Sequence, residues 1–122
     1  MATADDSLVA VSIACEGEAA AVRLAAALVE QRLAACAQCW PMRSTYRWQG
    51  AVESADEFML MAKTTMAMLP EVEALVRSRH SYEVPEIIAA PVSWASADYA
   101  RWVRESVGPA SPGHVTPPSE LR

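Results

Sequence analysis

The chain lacks the features that define several large classes of protein. Only four of its 122 residues are glycine, and Gly17 stands alone after the first apolar segment, so no glycine-rich phosphate loop is present. No apolar run approaches the length of a membrane span. The acidic residues 1–6 do not have the layout of a signal peptide. We therefore expect a cytoplasmic protein without a membrane partner.

Clustered positive charge and paired cysteines are also missing. The net charge is −5, and the ten basic residues are spread over the whole chain. Nucleic acid is therefore not expected as a partner, because phosphate backbones are bound by clustered Lys and Arg. The three cysteines, Cys15, Cys36 and Cys39, are odd in number, which favours reduced thiols over a disulfide framework.

Apolar segments with strand and helix periodicity alternate along the chain. Short apolar runs predict strands at 8–13, 39–48, 51–64 and 85–94, with a break near residues 54–56 in the third. Helices are predicted at 18–35, at 68–79 with Pro70 in the first turn, and after a Ser96 cap. Gln49 and Gly50 form a predicted tight turn between the second and third strands.

The order β-α-β-β-α-β with a further C-terminal helix predicts an α+β fold of the ferredoxin-like type. Its sheet should be antiparallel and carry both main helices on one face. Residues 1–107 are expected to form one domain, and the Pro- and Gly-rich residues 108–122 are expected to form a flexible tail.

The third and fourth strands are largely apolar on both faces. In the third strand the two alternating sets are Phe58, Leu60 and Ala62 against Met59, Met61 and Lys63. Soluble monomers rarely expose large apolar patches, so the face without helices needs a partner. We predict an obligate homo-oligomer with packed sheet faces, in which Met59 and Met61 fill the interface rather than bind copper.

Four short polar-aromatic segments lie at the ends of the predicted elements. They are residues 31–36 (QRLAAC), 46–50 (YRWQG), 80–86 (HSYEVPE) and 98–103 (DYARWV). In this order they resemble the CutA family of divalent-cation tolerance proteins, over residues 8–107. The resemblance implies a tight homotrimer, similar in design to the PII signalling proteins, that takes part in the response to copper or another divalent metal. It identifies no partner protein.

Cys15 and His80 are the candidate metal ligands. Members of the family implicated in copper binding carry a His pair and a Cys that ends the first strand. Here Arg79 precedes His80, the matching strand position is about Ile13, and Ser81 stands where the family usually has Pro. The resemblance thus implies weak copper binding through His80, with Cys15 as a soft second donor. The alternatives are helix capping by His80 and burial of Cys15 as a small apolar residue.

A cleft between subunits is the second candidate site. A PII-like signalling module would bind a small anionic or aromatic ligand there, between the residues Arg32, Tyr46, Trp48, Lys63, Tyr82, Glu83 and Glu86. The alternatives are anchoring of an interface by the aromatic residues, compensation of a helix dipole by Arg32, and an ion pair between Lys63 and Glu83 or Glu86 of another subunit.

Catalysis is not expected, because no nucleophile–base motif is present. The Cys36-x-x-Cys39 pair is interpreted as structural. An odd separation in an extended segment puts the two sulfurs on opposite faces, and no second pair completes a zinc site.

Overall fold

Four strands and three helices make up the part of the chain that the structure, a computed structural model, describes, which is residues 5–109. The strands are β1 Leu8–Cys15, β2 Cys36–Trp48, β3 Ala51–Thr65 and β4 Ile87–Pro91. The helices are α1 Glu18–Glu30, α2 Leu69–Arg79, which follows a 3-10 turn at Met66–Met68, and α3 Ala97–Ser106. This order confirms the predicted ferredoxin-like pattern. Most of the predicted tail, residues 110–122, lies outside the described residues.

The sheet is antiparallel with the strand order β2-β3-β1-β4. Strand β1 is central, and its Val11 lies opposite Ala62 on one side and Ala89 on the other. The hairpin of β2 and β3 closes through the predicted turn, where Gln49 and Gly50 have φ values of 50° and 82°. Two positive φ values match the turn type whose twist suits a two-residue hairpin.

The main core lies between one face of this sheet and helices α1 and α2. Strand alternation turns Val9, Val11 and Ile13 toward the helices, and all three are at most 1% exposed. Leu60 and Ala62 extend the same face, and the helices contribute side chains that include Leu28, Val72 and Val76.

Helix α3 covers one end of the opposite face. Leu8, which alternation places on that face, forms a second cluster with Ala35, Trp102 and Val103. The rest of this face has no helix on it among the described residues. Trp40 is 41% exposed and Ile88 is 61% exposed there, so the predicted apolar second face is present.

Three predicted boundaries were wrong. Helix α1 ends at Glu30 instead of residue 35, β2 begins at Cys36 instead of residue 39, and β4 is confined to residues 87–91. Arg32 adopts a left-handed conformation with φ 59°, which a helix cannot continue through. The Ala35 N–H then bonds to the Lys63 carbonyl at 2.8 Å. Sheet pairing therefore overrides the helix propensity of this alanine-rich segment.

Other local predictions are confirmed. Pro70 lies in the first turn of α2, and the Ser96 side chain caps α3 by accepting the Tyr99 N–H at 3.3 Å.

The predicted break at residues 54–56 is absent, since the register of β2 and β3 is continuous from Cys36 to Trp48. Among the helices of residues 5–109, none is long and apolar enough to span a membrane.

Candidate functional site

The two candidate metal ligands line the same small pocket. Cys15 is the last residue of β1, and His80 follows the last residue of α2, so the ends of these elements bring the two side chains to one place. The pocket has a volume of about 90 Å³ and is partly open to solvent.

Both ring nitrogens of His80 are already engaged. Nδ1 accepts the backbone N–H of Tyr82 at 3.1 Å, so the ring proton is on Nε2, which donates to the Ala14 carbonyl at 2.7 Å. An imidazole binds a metal through a nitrogen lone pair, and here the one lone pair is occupied. The backbone N–H of His80 also caps α2 by bonding to the Val76 carbonyl at 2.8 Å. His80 therefore joins the loop after α2 to the end of β1.

Cys15 is held as a neutral thiol. It is 2% exposed, and burial, followed by electrostatic interactions with Cys39, Glu57 and Glu16, raises the pKa of its thiol to about 11. The thiolate is the form that binds metals and attacks electrophiles, so the thiol is unreactive at neutral pH.

These donors do not form a ready metal site. Within residues 5–109 there is no group of three or more His, Cys, Asp or Glu side chains placed to hold a metal ion. The two predicted ligands lie together, but one has both nitrogens bonded and the other keeps its proton.

A buried carboxylate that the sequence did not indicate lies beside this pocket. The Tyr82 hydroxyl donates to Glu57 Oε2 at 2.7 Å, and Glu57 is only 8% exposed. Burial, then this hydrogen bond and the Glu57 charge, raise the pKa of Tyr82. The Tyr82 ring lies 4.6 Å from the His80 ring, tilted by 52°. The contacts thus run from Ala14 of β1 through His80 and Tyr82 to Glu57 of β3.

The candidate cleft residues do not converge within one chain. Glu57, the partner of Tyr82, is six residues from Lys63 along β3, which corresponds to about 20 Å. Trp48 pairs with Ala51, which lies about 40 Å from Lys63 along the same strand. Glu83 and Glu86 are exposed, and neither forms an ion pair with Lys63 or any other described residue.

The cleft candidates instead fall into separate neighbourhoods. Tyr46 lies close enough to Tyr82 to contribute to its raised pKa. Lys63 lines an apolar depression of about 370 Å³ with Trp94 and Tyr99, and donates to the Gln38 side-chain oxygen.

Arg32 hydrogen-bonds the C-terminal end of α3 to the segment between α1 and β2. Its Nε donates to the Gly108 carbonyl at 2.6 Å and its Nη2 to the Glu105 carbonyl at 2.8 Å. The Gly108 N–H returns a bond to the Arg32 carbonyl at 2.9 Å. The expectation that Arg32 would offset the dipole of its own helix was wrong, because Arg32 lies beyond α1 and contacts the C-terminal end of α3.

Cys36 and Cys39 are free thiols with different surroundings. Cys36 Sγ lies 3.2 Å from the Tyr99 hydroxyl and packs against the cluster under α3, whereas Cys39 packs against the main core. The two sulfurs therefore lie on opposite faces of β2, as their odd separation predicts.

The sequence matches one known protein family along most of its length. Residues 9–106 match a family described as CutA1 divalent ion tolerance protein. Over 99 residues the chain is 42% identical to the divalent-cation tolerance protein CutA of Thermus thermophilus, covering 80% of this chain and 96% of that protein. It is 41% identical to the human protein CutA over 100 residues, covering 81% of this chain but only 56% of the human protein.

Solved structures of the same family have the same fold. The divalent cation tolerance protein (Cut A1) of Thermus thermophilus superposes with a TM-score of 0.81 at 41% identity, covering 83% of this chain and 99% of that one. CutA1 of Oryza sativa gives a TM-score of 0.82 at 30% identity, covering 87% and 98% of the two chains.

The Arg32 contacts predict a graded loss of stability on substitution. Arg32→Ala should lower the free energy of unfolding by about 2 kcal/mol, because two hydrogen bonds from a charged donor are lost. Arg32→Gly should be milder by about 1 kcal/mol, since glycine adopts positive φ without strain. Denaturant unfolding measures both. Arg77→Ala, which removes only an exposed ion pair, is the control, and an equal loss in all three variants would contradict this role.

The buried thiol predicts a loss of stability in alkali. A thiol whose pKa is about 11 in the folded chain and 9.0 in its unperturbed state favours folding below about pH 9. That contribution is lost as the pH rises through about 11. The free energy of unfolding should therefore fall with pH more steeply in the wild type than in Cys15→Ala, by at most about 1.4 kcal/mol per pH unit. Equal slopes in the two proteins would show that Cys15 does not titrate this way.

Proposed function

The chain belongs to the CutA1 divalent ion tolerance family, and from this premise we propose that it acts as a homotrimer in the tolerance of, and response to, divalent metal ions. The observation that carries the proposal is the family match over residues 9–106, together with 42% identity to a protein named for divalent-cation tolerance. The role proposed is one of binding and assembly rather than catalysis, in the cytoplasm. The protonated state of Cys15, the one thiol in the pocket, supports a non-catalytic role.

The uncovered sheet face supports self-association. By alternation and register, one face carries Trp40, Met59, Met61, Ile88 and Ala90, and helix α3 reaches only its far end. Ser12 and Gln38 lie opposite Met61 on the same face, which is therefore largely but not wholly apolar. An exposed, largely apolar face of this kind is typical of obligate interfaces between subunits. The apolar face requires a partner copy, and the number three comes from the family resemblance.

Copper binding by His80 and Cys15 is proposed to be weak. A metal at His80 competes with the Tyr82 N–H for Nδ1 or with the Ala14 carbonyl for Nε2, and a metal at Cys15 competes with a tightly held proton. Both costs reduce the affinity below that of a site with free donors.

A small anionic or aromatic ligand bound between subunits is the second candidate. The depression beside Lys63 favours it, because Trp94 is 81% exposed there and offers a stacking surface next to a positive charge. Since Tyr46 and Trp48 lie far from Lys63 within one chain, a cleft containing all three needs residues from two subunits.

The apolar face predicts that a single charge can break the assembly. Ile88→Asp should shift the protein from a trimer of 13.2 kDa chains toward monomers, because the carboxylate would lose its water in the interface. Light scattering after size-exclusion chromatography reads the mass. Val22→Asp on α1 is the control, since Val22 is comparably exposed, at 55%, but lies on a helix. A monomeric wild type, or dissociation by both substitutions, would refute packing through this face.

The metal proposal predicts that copper uptake depends on one histidine. Native mass spectrometry with Cu(I), Cu(II) and Zn(II) should show partial copper occupancy, which His80→Ala should remove without changing the oligomer. His114→Ala, at the only other histidine of the chain, is the matched control and should bind as the wild type does. Unchanged copper uptake in His80→Ala would eliminate this site. A small molecule retained in the same spectra would favour the intersubunit ligand instead.

A further inference from the structure

Two arginines from different helices meet at the pocket beside Cys15. Arg23 extends from α1 and Arg79 from the last turn of α2, and both line the pocket. Neither forms an ion pair or a side-chain hydrogen bond with any of residues 5–109. By contrast, Arg77, two residues before Arg79, is paired with Glu73 at 2.9 Å. The pocket therefore carries two guanidinium groups whose hydrogen-bonding capacity is unused within the described chain.

The other groups around the pocket leave it with an excess of positive charge. Both ring nitrogens of His80 are bonded to backbone atoms, and Cys15 is buried. Glu16 contributes the one carboxylate of the lining. Glu57 lies near Cys15 but is not among the residues that line the pocket. The lining itself thus carries two basic side chains and one acidic one, in a protein whose net charge is −5.

We propose that this pocket binds a small tetrahedral oxyanion of the phosphate class, held between Arg23 and Arg79 with the Ser81 hydroxyl as a further donor. Guanidinium groups suit such ions because their N–H groups bond two oxygens at once. The pocket is small, with a volume of about 90 Å³, and a site of this size suits a single oxyanion.

The proposal does not depend on the trimer or on metal binding. It uses side chains of one subunit only, and it assigns the pocket a ligand of opposite charge to a metal cation. The guanidinium groups are exposed, so the affinity should be modest and should fall as ionic strength rises.

The proposed site can be tested by titration calorimetry with inorganic phosphate. The full chain in its native assembly is titrated at low ionic strength. The wild type should bind one phosphate per chain. Arg23→Gln and Arg79→Gln should each weaken binding about tenfold, as expected for loss of a charge-assisted hydrogen bond. Arg77→Gln, on the same helix as Arg79 but directed to Glu73, should bind as the wild type does. All three side chains are exposed, so the variants should fold normally.

Glu16→Gln tests whether the pocket prefers an anion or a cation. Removing the one carboxylate of the lining should tighten phosphate binding, whereas it would weaken the binding of a metal cation at the same place. A parallel titration with glycerol phosphate distinguishes a free phosphate ion from a phosphate monoester as the ligand. Binding of inorganic phosphate would identify the free ion, and binding of the ester alone would identify a phosphate monoester. Failure to bind either, an equal loss in Arg77→Gln, or weaker phosphate binding by Glu16→Gln would overturn the proposal.

Discussion

The two-sided pairing of strand β1 is the constraint on which the rest of the structure depends. β1 pairs with β3 along its whole length and with β4 from Val9 to Ile13. A shift of one residue in its register would exchange its two faces and expose the buried Val9, Val11 and Ile13. The burial of these side chains therefore also fixes both ends of the strand. One end, at Leu8, contributes to the apolar depression beside Lys63. The other end, at Cys15, forms part of the pocket lined by Arg23 and Arg79.

Much of this fold could be predicted from the sequence, because most of its elements rest on local signals. The alternation of Leu60 and Ala62 against Met59 and Met61 predicts which face is covered, and Gln49-Gly50 predicts the hairpin turn. The end of α1 could not be predicted in the same way. Residues 31–35 are good helix formers, but Ala35 pairs with Lys63 of β3, and Arg32 bonds to the end of α3, 73 to 76 residues later in the chain. No periodicity within α1 carries that information.

The candidate site could be predicted only in part. The ends of β1 and α2 do bring Cys15 and His80 together, as the hypothesis of a shared metal site requires. The hydrogen bonds that occupy the imidazole involve backbone atoms of Ala14 and Tyr82, which any sequence could supply, so the sequence gives no sign of them. Glu57 was missed because its partner Tyr82 is 25 residues away and on no common periodic face. The separation of Lys63 from Trp48 follows from the rise per residue of a long strand, once the continuity of β3 is known.

Charge and protonation decide which ion this pocket favours. A cation there would meet a neutral thiol, an imidazole without a free lone pair and two guanidinium groups. A metal response through the described residues therefore needs either a rearrangement of the loop after α2 or ligands from two subunits. An oxyanion needs neither, because Arg23 and Arg79 have no partners to give up within the described chain. In the isolated subunit the donors that a cation would need are thus engaged, whereas the donors that the proposed oxyanion would use are not.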